Sequence, residues 1–331
     1  MNSGYKSTKR STIPVVRQLA LLGTILLLLL GTAITPKLAA VFASAPTEDA
    51  APAAVSAPTA SSSAPENGEP FADIQLRAKA AYVWDVNNQK ALYKKDEAKQ
   101  LPLASITKLM TALIAHEVLD DSSKVTIDSL SVRQDGDSGL REGEVFSRLS
   151  LTDLTLMSSS NDGAFALAAA VGNVLKEGSG ATAFVNAMNV RAKELGLHET
   201  FYKNPTGLDI SPQEAGAYGS ARDMAFLMEY ILKNDPDILT YTTEDGARVY
   251  SESGAAHDAE NTNYYVDKIP GLIGSKTGFT DLAGGNLIVA FDAGLDRPII
   301  AVVLGSTQQE RFTDVLKLVK ESQAYVRLYG N

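Results

Sequence analysis

Leu103-Ala-Ser-Ile-Thr-Lys-Leu-Met-Thr-Ala-Leu-Ile-Ala115 is an apolar run with a single charge inside it. Lys108 is the only charged side chain between Lys99 and Glu117, and it stands three residues after Ser105. Read as a helix, the run places positions 105 and 108 on one face. Ile106, Leu109, Met110, Leu113 and Ile114 make that helix apolar around most of its circumference, hence buried. An ammonium in the first turn of a buried helix is disfavoured twice, because it loses hydration and faces the positive end of the helix dipole. Both effects lower its pKa toward the neutral amine, which takes a proton from an adjacent hydroxyl. The run reads as an activated serine.

Working outward, Ala80–Asp85 and Lys90–Lys94, joined by Asn87-Asn-Gln89, predict a β-hairpin just before this run. After it the chain is largely helical, with helices expected over Leu151–Met157, Asp162–Val174, Ala181–Leu195 and Ala221–Leu232. Strands return at Gly271–Lys276, Asn286–Asp292 and Pro298–Leu304, and a final amphipathic helix covers Gln309–Leu328. Strands at both ends with helices between them predict an α+β fold: one antiparallel sheet from both chain ends and a helical lobe inserted between. A substrate site is expected in the cleft between sheet and lobe.

Three short motifs occur in order: Ser105-Ile-Thr-Lys108, Ser159-Ser-Asn161 and Lys276-Thr-Gly278. Each is weak alone. Ser3-Gly-Tyr-Lys6 shows how easily the first arises by accident, the second resembles an ordinary helix cap, and the third resembles a strand ending at a turn. Together, on a buried helix, between two helices and on a strand, they form the combination used by penicillin-binding proteins and class A β-lactamases.

The chain resembles the low-molecular-mass penicillin-binding proteins of the peptidase S11 family, the D-alanyl-D-alanine carboxypeptidases. The likeness extends over residues 74–328 and includes Pro102–Ala112, Ser158–Asp162, Asn204-Pro-Thr-Gly-Leu-Asp209, Ser220–Ala225, Gly271–Thr280 and Ala283-Gly-Gly-Asn286. It implies a β-lactamase-like fold with a five-stranded antiparallel sheet. It also implies roles: Ser105 as nucleophile, Lys108 as its base, Ser159 as proton relay and Asn161 as a partner of Lys108 and the substrate amide. Lys276 and Thr277 would hold the substrate carboxylate, Lys276 being one fixed cationic spot on an acidic body. Gly278 would let the substrate backbone approach the strand edge. The N–H groups of Ser105 and Phe279 would hold the oxyanion. Substrates implied are peptidoglycan stem peptides ending in D-Ala-D-Ala, with β-lactams as covalent inhibitors and no cofactor or metal.

Two departures from the family stand out. Phe279 occupies a position where many relatives have histidine, which predicts altered substrate preference or pH response. The chain ends about one residue past its last helix, without the second β-rich domain and C-terminal amphipathic anchor of many relatives, which favours the N-terminal segment as the membrane attachment. A β-lactamase would need a Glu-x-x-x-Asn-type loop, and none lies between Asn161 and Lys276. A DD-endopeptidase and a non-catalytic cell-wall peptide binder remain as alternatives on the same fold.

Composition narrows the classes further. Residues 1–43 carry five basic residues and no acid, and the remaining chain has 25 basic and 39 acidic residues. So acidic a body offers nucleic acid no basic patch. There is no cysteine, which removes thiol nucleophiles, disulfides and sulfur-ligated zinc. Residues 19–36 are an uncharged apolar stretch behind a basic start, either a retained membrane anchor or a signal cut after Ala43. Both readings export the body to the cell envelope. Residues 44–70 hold eight Ala, five Pro and seven Ser or Thr, which predicts an extended linker. Residues 71–331 form the expected catalytic domain. His116-Glu-Val-Leu-Asp120 lacks the second histidine of a zinc-peptidase helix, and Gly178–Ala183 follows a helix where a dinucleotide loop would follow a strand. His198 and His257 have no evident carboxylate partner. Arg222-Asp223 reads as a salt bridge at a helix start.

Overall fold

Along the three inner strands of the main sheet, apolar residues alternate between two separate cores. Ala80 and Tyr82, Ile288 and Ala290, and Ile300, Val302 and Leu304 face one core. Ala81 and Val83, Leu287, Val289 and Phe291, and Ile299, Ala301 and Val303 face the other. Side chains of period two that are apolar on both faces need cover on both faces. The sheet is therefore the middle layer. The computed structural model describes residues 69–330 except 137, 176–179 and 295.

The sheet has five strands: β1 Ala80–Asp85, β2 Lys90–Lys95, β3 Leu272–Thr280, β4 Gly284–Asp292 and β5 Pro298–Ser306. All neighbours are antiparallel, in the order β3-β4-β5-β1-β2. The α+β expectation, a sheet drawn from both chain ends around a helical insertion, holds. Helix α6, Glu310–Tyr329, covers one face through Phe312, Val315, Leu318, Val319 and Val326. Its buried Asp314 joins the chain ends, accepting from the backbone N–H groups of Arg77 at 3.0 Å and Ala78 at 2.8 Å and from the Ser306 hydroxyl at 2.8 Å.

The other face carries the helical lobe: α1 Lys108–Val118, α2 Arg148–Met157, α3 Asn161–Leu175, α4 Gly180–Glu194 and α5 Ala221–Asn234. Nine of the eleven residues of α1 are buried, so this helix is packed all round. The other helices of the lobe pack against it. Each fully buried Leu, Ile or Met in such a core contributes about 1.5–3 kcal/mol relative to exposure.

The structure revises several local expectations. The Ser105 run is two elements, a 3-10 turn Ala104–Thr107 followed by α1. Helix α2 begins earlier than expected because the Ser147 hydroxyl caps it, accepting from the Ser150 N–H at 3.1 Å. Strand β3 runs past Lys276, pairing Thr277, Gly278 and Phe279 with Leu287, Asn286 and Gly285. Two hairpins interrupt the helical middle, Lys124–Thr126 with Val145–Ser147 and Gly246–Tyr250 with Ala256–Glu260. The anchor or signal expected over 1–43 and all but the end of the 44–70 linker lie outside the described residues. Among the described residues no helix is long and apolar enough to cross a membrane.

Candidate active site

Strand β3 is an edge of the sheet, and its exposed side faces the turn that carries Ser105. The turn is 3-10 at that point, with three residues per turn, so Ser105 and Lys108 are eclipsed one above the other. Lys108 Nζ lies 2.7 Å from Ser105 Oγ, 2.7 Å from Asn161 Oδ1 and 2.8 Å from the Thr206 carbonyl oxygen. Its side chain is completely buried. Loss of hydration lowers the Lys108 pKa from 10.5 to about 7. A neutral amine has two N–H bonds and one lone pair. With Asn161 Oδ1 and the Thr206 carbonyl each taking an N–H, the lone pair is left for the Ser105 proton.

Ser159 stands in the three-residue link between α2 and α3. Its φ of 61° is left-handed, an uncommon conformation for a residue with a side chain. Ala104, just before the nucleophile candidate, is left-handed too, with φ 48°. Such strain persists where surrounding contacts over-determine it, and here both cases flank the same cleft. The Ser159 hydroxyl accepts from Lys276 Nζ at 2.8 Å. Asn161 Nδ2 donates to the Asp135 carbonyl at 2.6 Å, which fixes the amide with its oxygen toward Lys108.

Lys276 is 1% exposed, and its Nζ also donates to the Thr277 carbonyl at 3.0 Å. Burial first, then the charges of Lys108 and Arg311, push its pKa well below the ordinary lysine value. Arg311 is a second cation, near enough to act on Lys276. Arg311, from the first turn of α6, donates to the Gly278 carbonyl at 2.8 Å. Burial lowers its pKa only to about 10, so it keeps its charge at neutral pH. Thr277 shares a hydrogen bond of 2.6 Å with Thr262. Arg311 and Thr262 carry no short motif, and sequence reasoning missed both.

Gly278 has a structural reason of its own. A Cβ there would lie 2.9 Å from the Leu103 carbonyl oxygen and 3.1 Å from the Ser105 nitrogen. The missing side chain makes room for the nucleophile turn itself. Asn286 on β4 reinforces that junction, with Nδ2 donating to the carbonyls of Pro102 and Leu103, both at 3.0 Å. Phe279 is 43% exposed at the cleft mouth. The fold thus gathers Ser105, Lys108, Asn161, Ser159, Lys276, Thr277 and Gly278 at one seam, with Phe279 on its rim.

The sequence profile of the peptidase S11 family, D-alanyl-D-alanine carboxypeptidase, matches residues 63–308. The chain belongs to the peptidase S11 family. It is 33% identical over 263 residues to D-alanyl-D-alanine carboxypeptidase DacF of Bacillus subtilis, covering 77% of this chain and 64% of that protein. It is 31% identical over 261 residues to a D-alanyl-D-alanine endopeptidase of Pseudomonas aeruginosa, covering 77% of this chain and 79% of that protein. The chain thus spans 64% of the length of the first of these S11 relatives, and 79% of the second. The crystal structure of penicillin-binding protein D2 from Listeria monocytogenes in its ampicillin-bound form has the same fold. It aligns with a TM-score of 0.64 at 30% identity, over 76% of this chain and 98% of that one. The chain is therefore a homologue of penicillin-binding proteins and a hydrolase of the serine DD-peptidase family.

The remaining sequence candidates lie elsewhere. His257 does have a carboxylate partner, Glu144 Oε1 at 3.1 Å, brought beside it by the unexpected hairpin. His116 sits 3.4 Å from Asp235 in the lobe. Arg222 Nε is 4.0 Å from Asp223, whose carboxylate also accepts from the Glu199 N–H and the Thr200 hydroxyl. Of Gly178–Ala183, positions 178 and 179 lie outside the described residues, and α4 begins at Gly180.

Proposed function

We propose that the protein is a serine-type D-alanyl-D-alanine carboxypeptidase that removes the terminal D-alanine from peptidoglycan stem peptides. The observation that carries this reading is the buried Lys108 amine, with a pKa of about 7, at 2.7 Å from Ser105 Oγ. In this reaction Lys108 takes the Ser105 proton as Oγ attacks the carbonyl of the penultimate D-alanine. The oxyanion sits on the N–H groups of Ser105 and Phe279. Ser159 passes a proton to the departing amine, the C–N bond breaks, and an ester remains on Ser105. Water then adds to the ester and releases the shortened peptide acid. Lys276, Thr277 and Arg311 hold the terminal carboxylate, and Asn161 orients both Lys108 and the substrate amide. β-Lactams acylate Ser105 by the same attack. The basic, apolar N-terminus supports a body on the outer side of the cytoplasmic membrane, tethered there or released after signal cleavage.

A second reading, DD-endopeptidase, has one observation in its favour. A cavity of about 430 Å³ opens on the Ser159 side, lined by Asn161, Thr262, Glu260 and Tyr264 among others. At about 30 Å³ per water it holds more than ten waters, well beyond the six heavy atoms of a departing D-alanine. A cross-linked leaving strand would occupy that space.

The test uses the full chain, a fluorescent penicillin and a diacetylated L-Lys-D-Ala-D-Ala peptide. Covalent labelling and free D-alanine are expected, both lost in Ser105→Ala. Labelling without D-alanine release, together with cleavage of cross-linked stem peptides, transfers the assignment to the endopeptidase. Neither labelling nor release refutes both.

A further inference from the structure

Asn204-Pro-Thr-Gly-Leu-Asp209 takes no part in the reaction just described, yet its contacts reach both halves of the site. Asn204 Oδ1 accepts from the N–H groups of Thr206 at 3.2 Å and Gly207 at 2.7 Å, and from the Thr206 hydroxyl at 3.2 Å. Asn204 Nδ2 donates to the Leu208 carbonyl at 2.9 Å. One amide side chain thus closes the segment into a loop of fixed shape.

What the loop fixes is next to the chemistry. Its Thr206 carbonyl is the third neighbour of the Lys108 amine, at 2.8 Å. Its Pro205 carbonyl accepts from Thr111 on α1 at 2.6 Å, which holds the loop against the helix that carries Lys108. Gly207 has a φ of 81°, and a Cβ there would stand 1.9 Å from the Ala104 carbonyl oxygen. The loop therefore also braces the left-handed residue ahead of Ser105.

The far end of the segment grips the sheet. Asp209 accepts from the Thr280 hydroxyl at 3.0 Å and from the Leu282 N–H at 3.3 Å. Thr280 is the last residue of β3 and follows Phe279, whose N–H is one of the two oxyanion donors of the proposed reaction.

The geometry of the amine gives the base end its importance. With the Thr206 carbonyl in place, both N–H bonds of neutral Lys108 are taken and the lone pair has one direction left, toward Ser105. Without it, one N–H is free, and the amine rotates to donate to Ser105 Oγ, which blocks proton abstraction. We propose that Asn204–Asp209 is a positioning strap: Asn204, through the Thr206 carbonyl, aims the Lys108 lone pair at Ser105, while Asp209, through Thr280, anchors the strand end that presents the Phe279 N–H. Neither residue touches substrate. The proposal rests on the reading of Lys108 as the base.

The experiment measures the saturating acylation rate by a fluorescent penicillin and the fraction of protein labelled at completion, in the full chain. Asn204→Ala is expected to label completely but about 100-fold more slowly, the low end of what a positioned base contributes. Its pH midpoint for acylation also moves, since the surroundings of the amine change. Asn204→Asp keeps the acceptor bonds that shape the loop around Thr206 but sets a carboxylate oxygen against the Leu208 carbonyl, so its rate is expected to fall between those of the alanine variant and the parent. Asp209→Ala slows acylation with the pH midpoint in place, because the amine is untouched. Asn204→Ser carries the same expectation as the alanine variant if that variant does not accumulate folded. Complete labelling of Asn204→Ala or Asn204→Ser at the parental rate and midpoint overturns the strap, as does an aspartate variant as slow as alanine. Failure of the underlying reading looks different, with Lys108→Ala acylating at the parental rate.

Discussion

Acylation should have an acid limb centred near pH 7, and the size of that limb follows from the burial of one amine. Loss of hydration brings Lys108 from 10.5 to about 7. At pH 7 roughly half the molecules then hold the free base, against about one in 3,000 for an unperturbed lysine, a difference of about 5 kcal/mol at 1.36 kcal/mol per unit. Lowering the pH from 8 to 5 takes the free-base fraction from about 0.9 to about 0.01, so the rate should fall about 90-fold. Carboxylate binding has a pH dependence of its own, since Lys276 holds it best as an ammonium and burial lowers the Lys276 pKa. Saturation with a fluorescent penicillin removes that dependence, and the limiting rate reports the base alone. Stopped-flow labelling at intervals of half a pH unit resolves the curve. A rate that climbs tenfold per unit from pH 7 to pH 9 without levelling would mean an ordinary, hydrated lysine. A flat profile between pH 5 and pH 8 would mean that no group of this kind takes the proton. Either result refutes the reasoning.

The same burial makes Lys108 a stability liability with a definite sign. Its folded pKa is below its unfolded pKa, so between about 7 and 10.5 the unfolded chain binds the extra proton, and stability rises with pH. Between pH 7.5 and 9.5 the parent should gain about 2–3 kcal/mol on Lys108→Met, read as the difference in urea midpoints; equal slopes would contradict the shift. Gly278→Ala places a methyl group 2.9 Å from the Leu103 carbonyl and 3.1 Å from the Ser105 nitrogen. It should slow penicillin acylation at least about tenfold, that is by about 1.4 kcal/mol of barrier, while circular dichroism stays parental; an unchanged rate would show that the nucleophile turn has slack. Arg311→Ala removes the cation that stays charged at neutral pH and should raise KM for the D-Ala-D-Ala peptide about tenfold, with a smaller change for a peptide amidated at its C-terminus. Equal changes for the two peptides would remove Arg311 from carboxylate recognition.

The Ser105–Lys108 pair was legible for a local reason. Positions three apart on a tight turn are neighbours, and a lone lysine inside an apolar run is either buried or interrupts it. The sheet was legible in outline because strand-like segments lie near both ends of the folded body, whereas its cover on both faces was not. Other parts had no local signal. Lys276 meets Ser159 across 117 residues of chain, a contact that no neighbouring residue announces. The Thr206 carbonyl is a backbone acceptor and leaves no mark in side-chain identity. Arg311, in the first turn of an amphipathic helix, reads as a solvated charge until the helix is docked on β4 and β5 and the guanidinium reaches across to the Gly278 carbonyl. The close approach of the chain's own turn to Gly278 likewise has no mark in the sequence.

The two lysines are coupled through their charges. Both amines are buried, and the charge of Lys108 disfavours the ammonium form of Lys276. In the proposed reaction a terminal carboxylate entering beside Lys276 and Arg311 brings its own negative charge, which opposes that penalty and favours the ammonium form of Lys276. Lys276 Nζ already donates to Ser159 Oγ at 2.8 Å, and its ammonium form makes that hydrogen bond stronger. In the proposed reaction this arms the leaving-group side when the carboxylate is seated, while Lys108, held by Asn161 and Thr206, remains the neutral partner of Ser105. Substrates without a terminal carboxylate should therefore lose rate in the bond-breaking step as well as affinity. Comparing kcat, and not only KM, for the free-acid and amidated peptides tests this, and an identical kcat would separate recognition from proton delivery.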